Sequence, residues 1–107
     1  MPHNVVVELS RPTKPDEGWL VEDFWQWAQF KRQDELALPV ERGRPKAFGA
    51  WWTTVLSEGF LPADIRRGFV VYSQDPYWQK TSPPLPVAGF VSQWFKYTAR
   101  EDAHAAG

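Results

Sequence analysis

Apolar residues recur at helical spacing in four stretches of this chain, separated by polar segments rich in proline and glycine. In the first, Val21, Phe24, Trp25 and Ala28, with Trp27 beside them, form one stripe. They predict a helix from near Val21 to Leu38. Glu22 and Asp23 suit its electropositive start, and Pro39 ends it. Residues 39–46 read as a polar loop punctuated by Gly43 and Pro45. Phe48, Trp51, Trp52, Val55 and Leu56 then fall at i, i+3, i+4, i+7 and i+8, the cleanest amphipathic stripe in the chain. Gly59 is a natural stop for this second helix.

Pro62 suits the first turn of a third helix, whose inward stripe is Ile65, Phe69 and Tyr72, with Val70 or Val71 helping. Asp75-Pro76 ends it. Pro83, Pro84 and Pro86 make a rigid bend before a fourth helix carrying Val87, Phe90, Val91, Trp94 and Thr98. Upstream, residues 1–18 read as an extended or partly disordered arm. Val5-Val6-Val7 suits extended backbone there, and Arg11-Pro12-Thr13-Lys14-Pro15 is incompatible with regular helix. Residues 101–107 read as a frayed tail, leaving residues 19–100 as the helical domain. The expected fold is all-α, a compact bundle of about four helices with an extended N-terminal arm.

A length of 107 residues matches one domain with one modest core. Seven tryptophans are many for such a core, so some rings are expected at the surface, where they would be contact residues for a partner. A net charge of −1 is not the overall signature of a nonspecific nucleic-acid binder, which leaves only local basic patches for that role. The absence of cysteine excludes disulfides and thiolate metal sites and is compatible with a reducing cytosol. No apolar run is long enough to span a membrane, and the first residues lack the pattern of a signal peptide. A cytoplasmic protein without membrane association is the expectation.

Catalytic chemistry is hard to assemble from these residues. His3 and His104 lie near the two ends, where little packing holds a general base in place. Asp16-Glu17, Glu22-Asp23, Asp34-Glu35 and Glu101-Asp102 are adjacent in sequence, and neighbours on a helix do not face each other. Arg42-Gly43-Arg44 lacks the pattern of a phosphate-binding loop. Ser10, Ser57, Ser73, Ser82 and Ser92 lack a nucleophile-elbow context. No enzymatic activity, cofactor or metal is expected.

Four groups suit binding. Arg42, Arg44 and Lys46 lie on the loop leading into the second helix, where cations and free backbone N–H groups can meet a phosphate. Their simpler role is to keep the loop soluble. Arg66 and Arg67 fall on the outward side of the third helix, positioned for a nucleic-acid backbone, an acidic partner, or pairing with Asp64 or Asp75. Tyr77, Trp78, Trp94 and Tyr97 stand near Lys80, Lys96 and Arg100, the mixture that single-strand binding uses. Alternatively, Trp78 and Trp94 fill the gap between the third and fourth helices. Trp25 and Trp27 cannot both occupy the centre of one narrow stripe, so one of them is expected to be exposed or to meet another chain.

Phe24-Trp25, Trp51-Trp52, the Gly59-to-Ile65 helix start, Tyr72, Asp75-Pro76-Tyr77-Trp78, Pro83-Pro84 and Phe90-to-Trp94 occur in an order that resembles a known domain. It is the C-terminal helical domain of phage and plasmid replication proteins of the helicase-loader and replisome-organiser kind. The resemblance covers about residues 21–98. It implies a non-enzymatic replication accessory module that binds DNA, single strands favoured, or a replication protein such as a helicase. Arg42, Arg44, Lys46, Arg66 and Arg67 would then face DNA, and Trp25, Trp27 and Trp78 a protein. The rival expectation is a protein-interaction module, such as a small inhibitor of a host or phage protein, with no DNA role. The aromatic content also leaves room for a homodimer face.

Overall fold

One turn of 3-10 helix at Asp16–Gly18 leads into α1 (Val21–Asp34). A loop then connects to α2 (Phe48–Ser57) and a short link to α3 (Pro62–Tyr72). The four-residue α4 (Pro76–Gln79), a proline-rich turn and α5 (Val87–Ser92) follow, and the backbone is helical again over residues 94–97. These elements come from a computed structural model that describes residues 15–97, within which every regular element is helical. The expectations for residues 1–14 and 98–107, including His3, His104 and Arg100, lie outside the described residues. The last part of the expected arm is not extended, since residues 16–18 coil into the 3-10 turn.

Two helices begin with the same device. Trp19-Leu20-Val21-Glu22-Asp23-Phe24 opens α1 and Phe60-Leu61-Pro62-Ala63-Asp64-Ile65 opens α3. In each, the Asp at the third helical position accepts the backbone N–H of the leucine before the helix, at 2.7 Å for Asp23 and 2.8 Å for Asp64. A leucine side chain cannot return a hydrogen bond, so only half of a capping box is made. The flanking Trp19 and Phe60, with Phe24 and Ile65, occupy the two positions of a hydrophobic staple.

The helix ends follow backbone chemistry. Pro39 bars Leu38 from helical geometry, and α1 stops earlier than expected, at Asp34 rather than Leu38. Ala37 turns the chain at φ +56°, and Leu38 N–H returns to the Arg32 carbonyl at 2.8 Å. Gly59, at φ +99°, closes α2 with paired bonds from Gly59 N–H to Leu56 O and from Phe60 N–H to Val55 O. Asp75-Pro76 ends the helical run as expected, and it also starts the next one. The Asp75 carboxylate accepts the Tyr77 N–H at 3.0 Å and caps α4.

The core is a continuous aromatic cluster. Phe24, wholly buried, meets the rings of Trp27, Phe48, Trp51, Trp52, Phe69 and Phe90 at 5.7–6.2 Å. Ile65, Phe69 and Tyr72 are all fully buried, as their stripe predicts. Trp25 and Trp27 are two residues apart, about 200° around a helix of 3.6 residues per turn. Both sides of α1 are covered, so the expectation of one exposed ring is corrected. Trp25 is buried against Phe48, and Trp27 is half-buried between Trp19 and Phe69. On α5, Gly89 sits where a side chain would not fit. A Cβ there would stand 2.6 Å from the Tyr72 hydroxyl and 2.7 Å from the Trp78 ring.

A buried arginine joins α1 to the two irregular segments. Arg32 is 1% exposed. Its Nε and Nη2 donate to the Pro39 carbonyl at 3.2 and 3.0 Å. Its Nη1 donates to the Pro84 and Leu85 carbonyls at 3.0 and 2.5 Å. The Glu41 carboxylate lies 3.9 Å from Nε. Buried cations persist only when hydrogen-bonded or paired, and Arg32 meets that need with three backbone carbonyls.

Candidate nucleic-acid interface

The loop between α1 and α2 is anchored at both ends. Near its start, Glu41 N–H donates to Gln29 Oε1 at 2.7 Å, and Gln29 Nε2 donates back to Glu41 Oε1 at 3.1 Å. The same Glu41 oxygen accepts Val87 N–H at 3.2 Å, so the loop is fastened to α5 as well. At its far end Phe48 is buried, with its ring 5.7 Å from both Trp25 and Trp51. Between these anchors Arg42, Gly43, Arg44 and Lys46 are exposed.

Arg44 is held in one orientation. Its guanidinium lies over the Trp25 ring, 5.0 Å from the centroid. Its Nε and Nη2 donate to the two oxygens of Glu22 at 2.9 and 2.5 Å, a bidentate fork. The fork holds the Glu22 carboxyl below its usual range and raises Arg44 above its own. Arg42 and Lys46 make no ion pair among the described residues. The backbone enters α2 through Ala47, at φ +55°, and no side chain caps that helix start.

The other sequence-predicted cations are elsewhere and already engaged. Arg66 pairs with Asp16 at 2.9 Å and lies 5.9 Å from the Trp19 ring centroid. Arg67 pairs with Asp64. The loop runs along the Glu22, Trp25 and Gln29 stripe of α1, whereas α3 packs against Phe24 and Trp27. The five cations therefore form two groups on different sides of α1, not one patch.

The aromatic group is also divided by the fold. Trp94 and Tyr97 are buried and offer no face to a base. Tyr97 donates its hydroxyl to Asp75 at 2.7 Å, and Lys96 approaches the same carboxylate at 3.5 Å. The Tyr97 hydroxyl, foremost, holds Asp75 below the usual carboxylate range. Trp78 is half-buried against Tyr72 at 5.7 Å, and Tyr77 is exposed.

Gln29, Arg32 and Glu41 were not singled out from the sequence as the residues that hold the loop, nor Glu22 as the partner of Arg44. The available signal was their spacing: Glu22, Trp25, Gln29 and Arg32 fall at i, i+3, i+7 and i+10, a polar stripe interrupted by one ring. No family model, curated protein or solved structure matches this chain. Among the described residues, no cluster of three or more metal-ligating side chains occurs, and no helix is long and apolar enough to cross a membrane.

Proposed function

We propose that this chain is a non-enzymatic replication accessory module that contacts nucleic-acid phosphates, single strands favoured, through Arg42, Arg44 and Lys46. The observation that carries the proposal is the anchored loop: three exposed cations stand on a segment pinned at Glu41 and Phe48, with Arg44 pre-aligned over Trp25. Pre-organised cations lose less freedom on binding than free ones. Arg66 and Arg67 belong to the separate group on the α3 side of α1, away from the anchored loop, and are not part of this contact. The replication setting and the preference for single strands come from the resemblance to phage and plasmid replication domains.

Fluorescence anisotropy of a labelled oligothymidine and a labelled duplex, each at two salt concentrations, tests the proposal. Three neutralised phosphates correspond to a slope of about −2 in log affinity against log salt for single strands. The triple variant Arg42→Ala/Arg44→Ala/Lys46→Ala should lose the binding. Absence of binding at low salt up to about 100 μM, the weak limit of nonspecific contacts, removes the DNA role.

A second reading, a protein-interaction module with no DNA role, is favoured by Leu20 and Leu61. Both occupy helix N-cap positions, where leucine forgoes about 1 kcal/mol relative to Ser or Asp, and both are more than 60% exposed. A second copy of the chain is the first partner to test. Sedimentation equilibrium of the wild type against Leu20→Ser/Leu61→Ser should show a dimer that the variant loses; monomers in both exclude that partner.

A further inference from the structure

We propose that Glu22 is a built-in competitor for the phosphate that Arg44 would otherwise grip, a proposal that rests on the nucleic-acid role of the loop. The two Arg44 N–H groups that form the fork both point at one Glu22 carboxylate, at 2.9 and 2.5 Å. A carboxylate and a phosphate present the same pair of oxygens to a guanidinium. The two acceptors are therefore mutually exclusive at Arg44.

Three features make Glu22 a local carboxylate that can be displaced. It lies in the first turn of α1, where the helix start favours a negative charge. Arg44 does not depend on Glu22 alone for its orientation, because the Trp25 ring and the buried Phe48 hold the segment when the fork is vacated. Both partners are about half exposed, at 45% for the Arg44 side chain and 55% for Glu22, so an incoming phosphate reaches the pair from solvent. Arg42 and Lys46, unpaired among the described residues, would meet the phosphate backbone first, before the exchange at Arg44. The Arg32 site is unlike this one: its guanidinium is sealed from solvent and has no open approach.

Exposed ion pairs are weak, and the competition is correspondingly modest. Release of such a pair corresponds to an affinity gain of about two- to five-fold. The test is anisotropy of one labelled oligothymidine at low salt against five chains: wild type, Glu22→Gln, Arg44→Ala, Glu22→Gln/Arg44→Ala, and Glu58→Gln. Glu58, just after the far end of α2, controls for the loss of one negative charge. Circular dichroism confirms that each chain is folded.

Glu22→Gln should bind about two- to five-fold more tightly than Glu58→Gln, and the gain should vanish in the Arg44→Ala background. An equal gain in Glu58→Gln overturns the proposal, because net charge alone then accounts for it. A gain that persists without Arg44 overturns it as well. If the wild type binds, Arg44→Ala weakens binding and Glu22→Gln changes nothing, the competitor role fails while the nucleic-acid role stands. If no chain binds, both fail together.

Discussion

Arg32 and Arg44 both tie α1 to the loop that follows it, and their surroundings give them opposite roles. Arg32 is sealed inside, with three backbone carbonyls as acceptors and a carboxylate 3.9 Å away. Arg44 is near the surface, with one carboxylate and one ring. Removing Arg32 leaves the buried Leu85 carbonyl and the part-buried Pro39 and Pro84 carbonyls without their donor, whereas removing Arg44 lets water take its place. The same side chain is thus a buried strut in one region and, under the proposal above, an exchangeable contact in the other, and solvent access separates the two.

The largest break in this comparison is Arg32→Ala. Loss of one partner of a buried charged network costs about 3–5 kcal/mol, read as a fall in the urea midpoint of tryptophan fluorescence. Arg32→Lys should restore little, because one ammonium cannot reproduce a fork that reaches Pro39 and Pro84 together. A loss below about 1 kcal/mol, the size of a surface effect, would place Arg32 in the same class as Arg44.

Tyr72→Phe is a smaller break in the same region. The Tyr72 hydroxyl donates to the Pro86 carbonyl, next to the carbonyls held by Arg32. Burial pushes this phenol above its usual pKa, so it remains a donor at neutral pH. Removing the donor should cost about 1–2 kcal/mol, measured by the same denaturation. An unchanged midpoint would show that the proline-rich turn is held by Arg32 and packing alone.

Arg44→Ala sharpens the contrast from the exposed side. Its stability should change by less than about 1 kcal/mol, while its affinity for oligothymidine falls. A stability loss as large as that of Arg32→Ala would contradict an exchangeable role.

The smallest effect is a pH dependence. In the fold Glu22 titrates below its ordinary 4.5, because Arg44 favours its ionised form. A lowered carboxylate contributes stability that is present above 4.5 and lost as the pH falls through the folded value. The stability difference between wild type and Glu22→Gln should therefore be constant near neutrality and shrink toward zero in the acid range below 4.5. A difference that grows on acidification would reverse the sign and remove the pair as its cause.

The helices were legible in the sequence because their causes are local. The Phe48, Trp51, Trp52, Val55 and Leu56 stripe, Gly59 as a stop and Pro62 as a start all recur in the fold. Pro39 marks the end of α1 too late, because the chain already turns at Ala37, where no marker residue stands. The repeated Leu-x-x-Asp helix starts were visible as letters, but leucine is not a usual cap, so they carried no signal.

The surroundings of the candidate cations were less legible. Arg44, Arg66 and Arg67 look alike in sequence, and their partners Glu22, Asp16 and Asp64 stand 22, 50 and 3 positions away. Only the last is close enough for helix spacing to suggest it. The covering of both Trp25 and Trp27 was not legible, because coverage of a helix on two sides depends on what packs there, not on its own stripe.

By itself, the sequence determined that this chain is all-α, where its helices begin apart from the short α4, and which apolar faces turn inward. Those are consequences of periodicity, proline and glycine, which act within a few residues. Tertiary structure decided which arginine is buried, which tryptophans are covered, and which cations remain open to solvent. Those outcomes depend on contacts between distant segments, and desolvation and hydrogen bonding are set only when the segments meet.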